Sequence, residues 1–341
     1  MNSNRTLPLC IAAFSMMLLI LDAKTALSSA LTGINMCIRA VIPSLFPFFF
    51  LSAIINDRLL GVDSKLLRPL SKICKLPAGS ESILLLGLIG GYPVGAASVY
   101  EAYKAGTLSK QQATRMLSFC NNAGPAFLFG MLSPILENTV TVWILWIIHI
   151  VSALTVGILL PGDAENKVNV THAPSLTPSK AMHMALRNLV SVCGWIVLFR
   201  IILGFFMRWF MWLLPESAQI FIGGLMELSN GCLSLSQISN AGMRFLFAAV
   251  FLSFGGLCVA MQTASVIGDL PMKPYCLGKL FQSLITINVA GILQAFLYPQ
   301  DHITLSPFVL LTTVSLLFIL ILKKAVAFPG IIGYNGRKSL R

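Results

Sequence analysis

Long apolar runs recur along the whole chain, and they constrain its fold more than any other feature. They cover Leu7 to Leu21, Val41 to Ile55, Val140 to Leu160, Leu189 to Leu214, Phe245 to Ile267, Leu280 to Leu297 and Phe308 to Leu322. A helix needs about 20 residues to cross the hydrocarbon of a bilayer, and several runs approach that length. Strands of a barrel would alternate in polarity, whereas these runs are continuous. The sequence therefore predicts an all-α polytopic membrane protein. Charge usage agrees: only 11% of the residues are charged, too few to coat a soluble protein of 341 residues.

The formal net charge of +12 would suit a nucleic-acid binder, but its placement argues against one. Basic residues collect between the apolar runs, at Arg58, Lys65, Arg68, Lys72 and Lys75, and at the end, at Lys323, Lys324, Arg337, Lys338 and Arg341. Short cytoplasmic loops carry such an excess, so the C-terminal tail is expected in the cytoplasm and Gln300-Asp301-His302 on the other side. Leu7 to Leu21 after Arg5 could be a cleaved leader, but the spans that follow favour a retained anchor. The eight cysteines form no Cys-x-x-Cys pair and read as small core residues, with no metal site expected.

Several apolar runs are interrupted. Pro43 and Pro47 sit inside one, Gly87 to Gly95 inside another, Cys120 to Pro125 inside a third and Ser253 to Gly256 inside a fourth. Proline removes a backbone donor and glycine weakens a helix. In lipid the freed groups must face protein or a watery cavity. The order of features also suggests two diverged halves, about 25–135 and 178–298. Gly90-Gly91 is followed by Val94 and later by Lys110 to Arg115, as Gly255-Gly256 is followed by Val259 and later by Lys273 to Lys279. The expected division is an anchor at 1–24, a first repeat with its following span at 25–161 and a polar linker at 162–179. A second repeat at 180–298, a last span at 303–324 and a basic cytoplasmic tail at 325–341 complete it. Repeats with paired broken or re-entrant helices around a midplane cavity are the signature of secondary transporters. The alternative is that the glycines only allow close helix packing.

Three of these stretches carry a family resemblance. They are Ile42-Pro43-Ser44-Leu45-Phe46-Pro47-Phe48-Phe49, Gly91-Tyr92-Pro93-Val94-Gly95-Ala96 and Phe119-Cys120-Asn121-Asn122-Ala123-Gly124-Pro125-Ala126-Phe127. In that order they resemble the sporulation integral membrane proteins of the YlbJ (SpoVV) type, within the nucleoside-recognition, or Gate, domain group. Ser253-Phe254-Gly255-Gly256-Leu257 with Val259 and Gln262 is similar to that family's second-half motif. The resemblance implies a carrier in endospore-forming bacteria, exporting dipicolinate from the mother cell across the outer forespore membrane. It also leaves a nucleoside or other small-solute transporter as an alternative. A basic residue often follows the Gly-Tyr-Pro motif in the family, whereas Ala97 stands here, so the cation must come from elsewhere or the cargo differs.

Dipicolinate is a planar dianion, and a site for it needs donors, positive potential and a flat wall. Asn121 and Asn122 offer amide donors. Backbone near Gly90, Gly91 and Gly124 could approach an anion closely, and Tyr92 could form the wall. Pro93, Gly95, Pro125, Gly255, Gly256, Gln262 and Arg200 complete the candidate substrate-binding set. Glu101, Arg39 and Arg187 are candidates for ion coupling or pairing, against snorkelling for the arginines. Glu227 is a further charge inside an apolar segment, and His149 reads as a packed or hydrogen-bonded residue. The sequence has no Gly-x-Ser-x-Gly, P-loop or metal spacing, so neither an enzyme, a cofactor nor ATP drive is expected. Expected partners are a small anion and the lipid bilayer, with a second copy or other sporulation membrane proteins as further candidates. A scaffold that moves nothing is the competing class.

Overall fold

The computed structural model describes residues 3–60, 62, 64–136, 138–162, 176–301 and 314. The expected last span and basic tail, and most of the polar linker, lie outside the described residues. The described residues are helical throughout and include no strand, as the continuous apolar runs predict.

The chain opens with α1 (Ser3–Leu21), whose apolar side chains from Leu7 to Leu21 are mostly exposed, and α2 (Ala23–Met36). Asp22 caps α2 by accepting from Thr25 N at 3.3 Å. A π-turn at Cys37–Val41 then leads into α3 (Ile42–Leu59). Here the structure differs from the expected break, because Ala23–Leu59 is one helical stretch that carries Pro43 and Pro47. Pro43 follows directly on the π-turn, whose wider bonding absorbs the missing N–H, while Pro47 falls inside α3. The Ser44 hydroxyl donates to Ala40 O at 2.7 Å in the same turn.

A short α4 (Arg68–Ile73) closes the basic loop. It is pinned by Glu81, the first residue of α5 (Glu81–Ile89). The fully buried Glu81 carboxylate accepts from Arg68 at 3.1 Å, Ser71 at 2.9 Å and Gly79 N at 2.7 Å. The chain continues through α6 (Val94–Lys104) and α7 (Lys110–Leu117), then α8 (Pro125–Phe127) and α9 (Ser133–Leu136). Ser109 and Gln112 form a reciprocal capping box on α7. Next comes α10 (Thr139–Leu159), capped at its start by Asn138. Its C-terminal carbonyls are gathered by Arg115, which donates to Gly157 O at 2.7 Å and Pro161 O at 2.6 Å, with Cys74 O at 2.6 Å alongside. A cation there complements the negative end of the helix dipole.

The longest helix, α11 (Pro178–Trp209), shows what lipid does to a sequence pattern. Ala181, Ala185, Leu189, Val192, Ile196, Phe199 and Leu203 form its buried stripe, yet Met182, Leu186, Val190, Leu198 and Ile202 are exposed. A helix that is apolar on both faces has one face in protein and the other in lipid. Its inner face packs along α2 and α3. The chain ends its described part with α12 (Glu216–Met226), α13 (Leu228–Ser234), α14 (Ala241–Phe254), α15 (Gly256–Val266) and α16 (Met272–Leu297). Among the described residues, five stretches are long and apolar enough to span a bilayer: Ala23–Leu59, Thr139–Leu159, Pro178–Trp209, Ala241–Val266 and Met272–Leu297.

Candidate functional site

Four interruptions come together in the interior. Gly91 (φ +82°) ends the turn between α5 and α6, and it packs against Gly124, where the break before α8 begins. A side chain on Gly124 would lie 2.9 Å from Gly91 N. Gly255 (φ +79°) and Gly256 (φ +82°) form the break between α14 and α15. Only glycine takes up two successive left-handed residues without strain. Gly256 in turn lies against Leu225 O and Leu228 N, at a break between α12 and α13 that the sequence reading did not single out. At this break Glu227 caps α13, accepting from Ser229 N at 2.9 Å and Asn230 N at 2.6 Å.

Tyr92 joins the two pairs of breaks. Its hydroxyl donates to Leu252 O at 3.1 Å, across 160 residues of sequence, and its ring lies against Gly255. Between the breaks is a cavity of about 30 Å³, lined by Gly91, Tyr92, Gly124, Glu227, Ser229 and Gln262 among others. That volume holds a water or two, far less than an aromatic dianion.

The amine of Lys279 lies behind the Tyr92 ring. Nζ is 5.0 Å from the ring centroid and donates to Tyr92 Oη at 3.2 Å, Asn122 Oδ1 at 3.1 Å and Gln282 Oε1 at 2.8 Å. Only 1% of Lys279 is exposed, and among the described residues no carboxylate pairs with it. Gln282 completes the cluster, donating to Asn122 Oδ1 at 3.0 Å and His149 O at 3.1 Å. Nε2 of His149 accepts from Ala123 N at 3.1 Å.

The two asparagines are engaged inside the protein. Asn122 Nδ2 donates to Gly87 O and Phe119 O, at 2.9 and 2.7 Å. Asn121 accepts from Ala96 N at 3.3 Å and donates to Thr263 Oγ1 at 3.0 Å. Both tie the α7–α8 break to its neighbours. Asn121→Ala is therefore expected to cost about 1–3 kcal/mol, the cost of leaving such buried groups unpartnered. Unfolding of the purified protein in detergent would read it, and an unchanged midpoint would contradict the assignment.

The remaining candidates are dispersed. Gly90, Pro93 and Gly95 are buried in the α5–α6 turn region, and Pro125 starts α8. Glu101 accepts from Asn56 Nδ2 at 2.8 Å, a neutral partner on α3. Arg39 and Arg187 are exposed. Arg200 donates to Asn230 Oδ1 and lines a second cavity. Outside the breaks, Lys110 and Asp269 pair at 2.9 Å, and this hydrogen bond holds the Asp269 carboxyl below its ordinary range.

Lys279 and Gln282 leave one signal in the sequence. Tyr275, Lys279, Gln282 and Thr286 recur at four, three and four residues along α16, one buried polar stripe on an otherwise apolar helix. Glu227 is visible as a charge inside an apolar segment, and Gly223, Gly224 and Gly231 flank the break that it caps.

Helical stretches of this length and polarity, packed around interrupted helices, define an integral membrane protein with several spans. Over 355 aligned residues the chain is 24% identical to the sporulation integral membrane protein YlbJ of Bacillus subtilis strain 168, covering 89% of this chain and 86% of that one. The similarity runs over nearly the full length of both chains. The relative's name describes a sporulation membrane protein and no enzymatic activity. No protein-family model matches the chain, and no solved structure matches it.

Proposed function

We propose that this chain is a carrier for a small organic anion, with its substrate site where the four breaks meet. The observation that carries this reading is Lys279: a buried amine beside the breaks whose hydrogen-bond acceptors are all neutral. An ionisable group inside a span is costly, about 2.5–3.5 kcal/mol at a helix centre on insertion scales, and it is retained where it is used. An entering carboxylate would supply the counter-charge that Lys279 lacks among its own partners, the Glu227 carboxylate in the same cavity being held by the amides of Ser229 and Asn230. Lys279 would thereby supply the cation that the family pattern places where Ala97 stands here.

Gly91, Tyr92, Gly124, Gly255, Gly256 and Gln262 would line the path, and Asn121 and Asn122 would hold its walls. The cavity of about 30 Å³ is then the closed form of the site, and transport requires the breaks to move apart. The two-repeat organisation, 25–161 and 180–298, belongs to the same proposal, as does a Gate-type relation. From the family resemblance we infer that the anion is dipicolinate and the membrane the outer forespore membrane of a sporulating cell. Proteoliposomes containing the purified protein should accumulate dipicolinate above empty vesicles. Uptake equal to empty vesicles, with uridine carried instead, would replace this reading with a nucleoside carrier. Neither solute moving would favour a scaffold.

A further inference from the structure

A second cavity, of about 370 Å³, lies beside the first. Its wall continues the face of α11 that lines the small cavity. Val192 and Ile196 border the small one, while Arg200, Leu203, Gly204 and Met207 border the large one. The start of α13 separates the two in the same way, with Glu227 to Ser229 on one side and Asn230 and Ser234 on the other. The cavities are thus consecutive along one helix face.

The Arg200 guanidinium is only partly engaged. It donates from Nη1 to the neutral Asn230 Oδ1, its buried Nε has no partner, and the Glu227 carboxylate acts on it through space without a direct ion pair, its oxygens being held by the Ser229 and Asn230 amides. A guanidinium edge with a free N–H suits one ligand chemistry well, because a carboxylate can take two parallel hydrogen bonds from it. Gln219, Ser234 and Gln237 add neutral donors to the wall, and the acid Glu216 in the same wall is exposed. We propose that the larger cavity is a carboxylate-binding site centred on Arg200, lying on the approach to the smaller cavity. Asn230 occupies the guanidinium when no carboxylate is there. The placement on a transport route rests on the carrier reading, whereas the binding chemistry does not.

Binding to the full chain in lipid nanodiscs tests it, with dipicolinate as probe and the uncharged pyridine-2,6-dicarboxamide as its isosteric control. Dipicolinate should bind and the diamide should not. Arg200→Gln should weaken binding about tenfold or more, the scale of one lost charge-assisted hydrogen bond. Arg200→Lys should recover part of that loss, and Asn230→Ala should bind as well as the native chain or better. Equal binding by Arg200→Gln, loss in Asn230→Ala matching Arg200→Gln, no binding by the native chain, or equal binding of the diamide would each overturn the site. Arg200-dependent binding without proteoliposome uptake would sink the carrier reading alone. Uptake with Arg200-independent binding would sink the site alone.

Discussion

Lys279→Met is expected to reduce dipicolinate uptake at least about tenfold while leaving the protein folded. The size of the loss follows from removing a charge-assisted hydrogen bond to the anion, about 1.5–3 kcal/mol. Stability should change little, because two costs oppose each other. Gln282 Oε1 loses its donor, but a buried amine with no carboxylate partner is also removed. Replacing a buried charge with an apolar side chain of similar volume is often neutral or stabilising. Tyr92 keeps its bond to Leu252 O, and Asn122 Oδ1 keeps Gln282. A thermal midpoint near the native one, combined with lost uptake, is the expected pair of results. Native uptake by a well-folded Lys279→Met would remove Lys279 from the mechanism. Collapse of the fold would make the amine structural.

Gly95→Ala is expected to disrupt the fold. A methyl group at Gly95 would overlap the Cys120 carbonyl and come within 2.8 Å of Gly87 Cα. All three neighbours are backbone, in α5 and in the α7–α8 break, so no side chain can turn aside. Overpacking of this kind costs about 1–3 kcal/mol when side chains can yield, and more when backbone must move. We expect about 3 kcal/mol or more, with little folded protein recovered from membranes. Gly130→Ala is the internal control, since nothing lies within 4 Å of a Cβ at that position and its φ is not left-handed. That variant should stay within about 1 kcal/mol of the native chain, alanine being the better helix former. Equal behaviour of the two in detergent unfolding would contradict the close backbone packing.

Membrane residence was legible from the apolar runs because hydropathy reads out directly as solvent preference. Three interruptions were also legible, at Gly91, Gly124 and Gly255, since glycine and proline act on the local backbone. The Pro43–Pro47 run misled for the same reason. A local break in hydrogen bonding can be absorbed by a neighbouring π-turn, and that depends on the turn before it. The Glu227 break is less legible because Gly223 and Gly224 lie inside α12, and the break itself is made by a carboxylate capping two amides.

Long-range partners were the least legible. Asn121 and Asn122 had been read as donors to a solute. Their amides instead reach Thr263, Gly87 and Phe119, contacts set by tertiary packing. Lys279 lies 187 residues from Tyr92 in sequence and 3.2 Å away in space. Its polar stripe on α16 was visible as spacing, but nothing in the sequence tied that stripe to the breaks.

A density map of the protein in nanodiscs with dipicolinate present would test the central claim most directly. The account predicts ligand density between the Gly91–Gly124 and Gly255–Gly256 breaks, with a carboxylate within hydrogen-bond distance of Lys279 Nζ and the surrounding cavity enlarged. A map at saturating dipicolinate in which Lys279 keeps only Tyr92, Asn122 and Gln282, and the breaks hold no ligand, would contradict it.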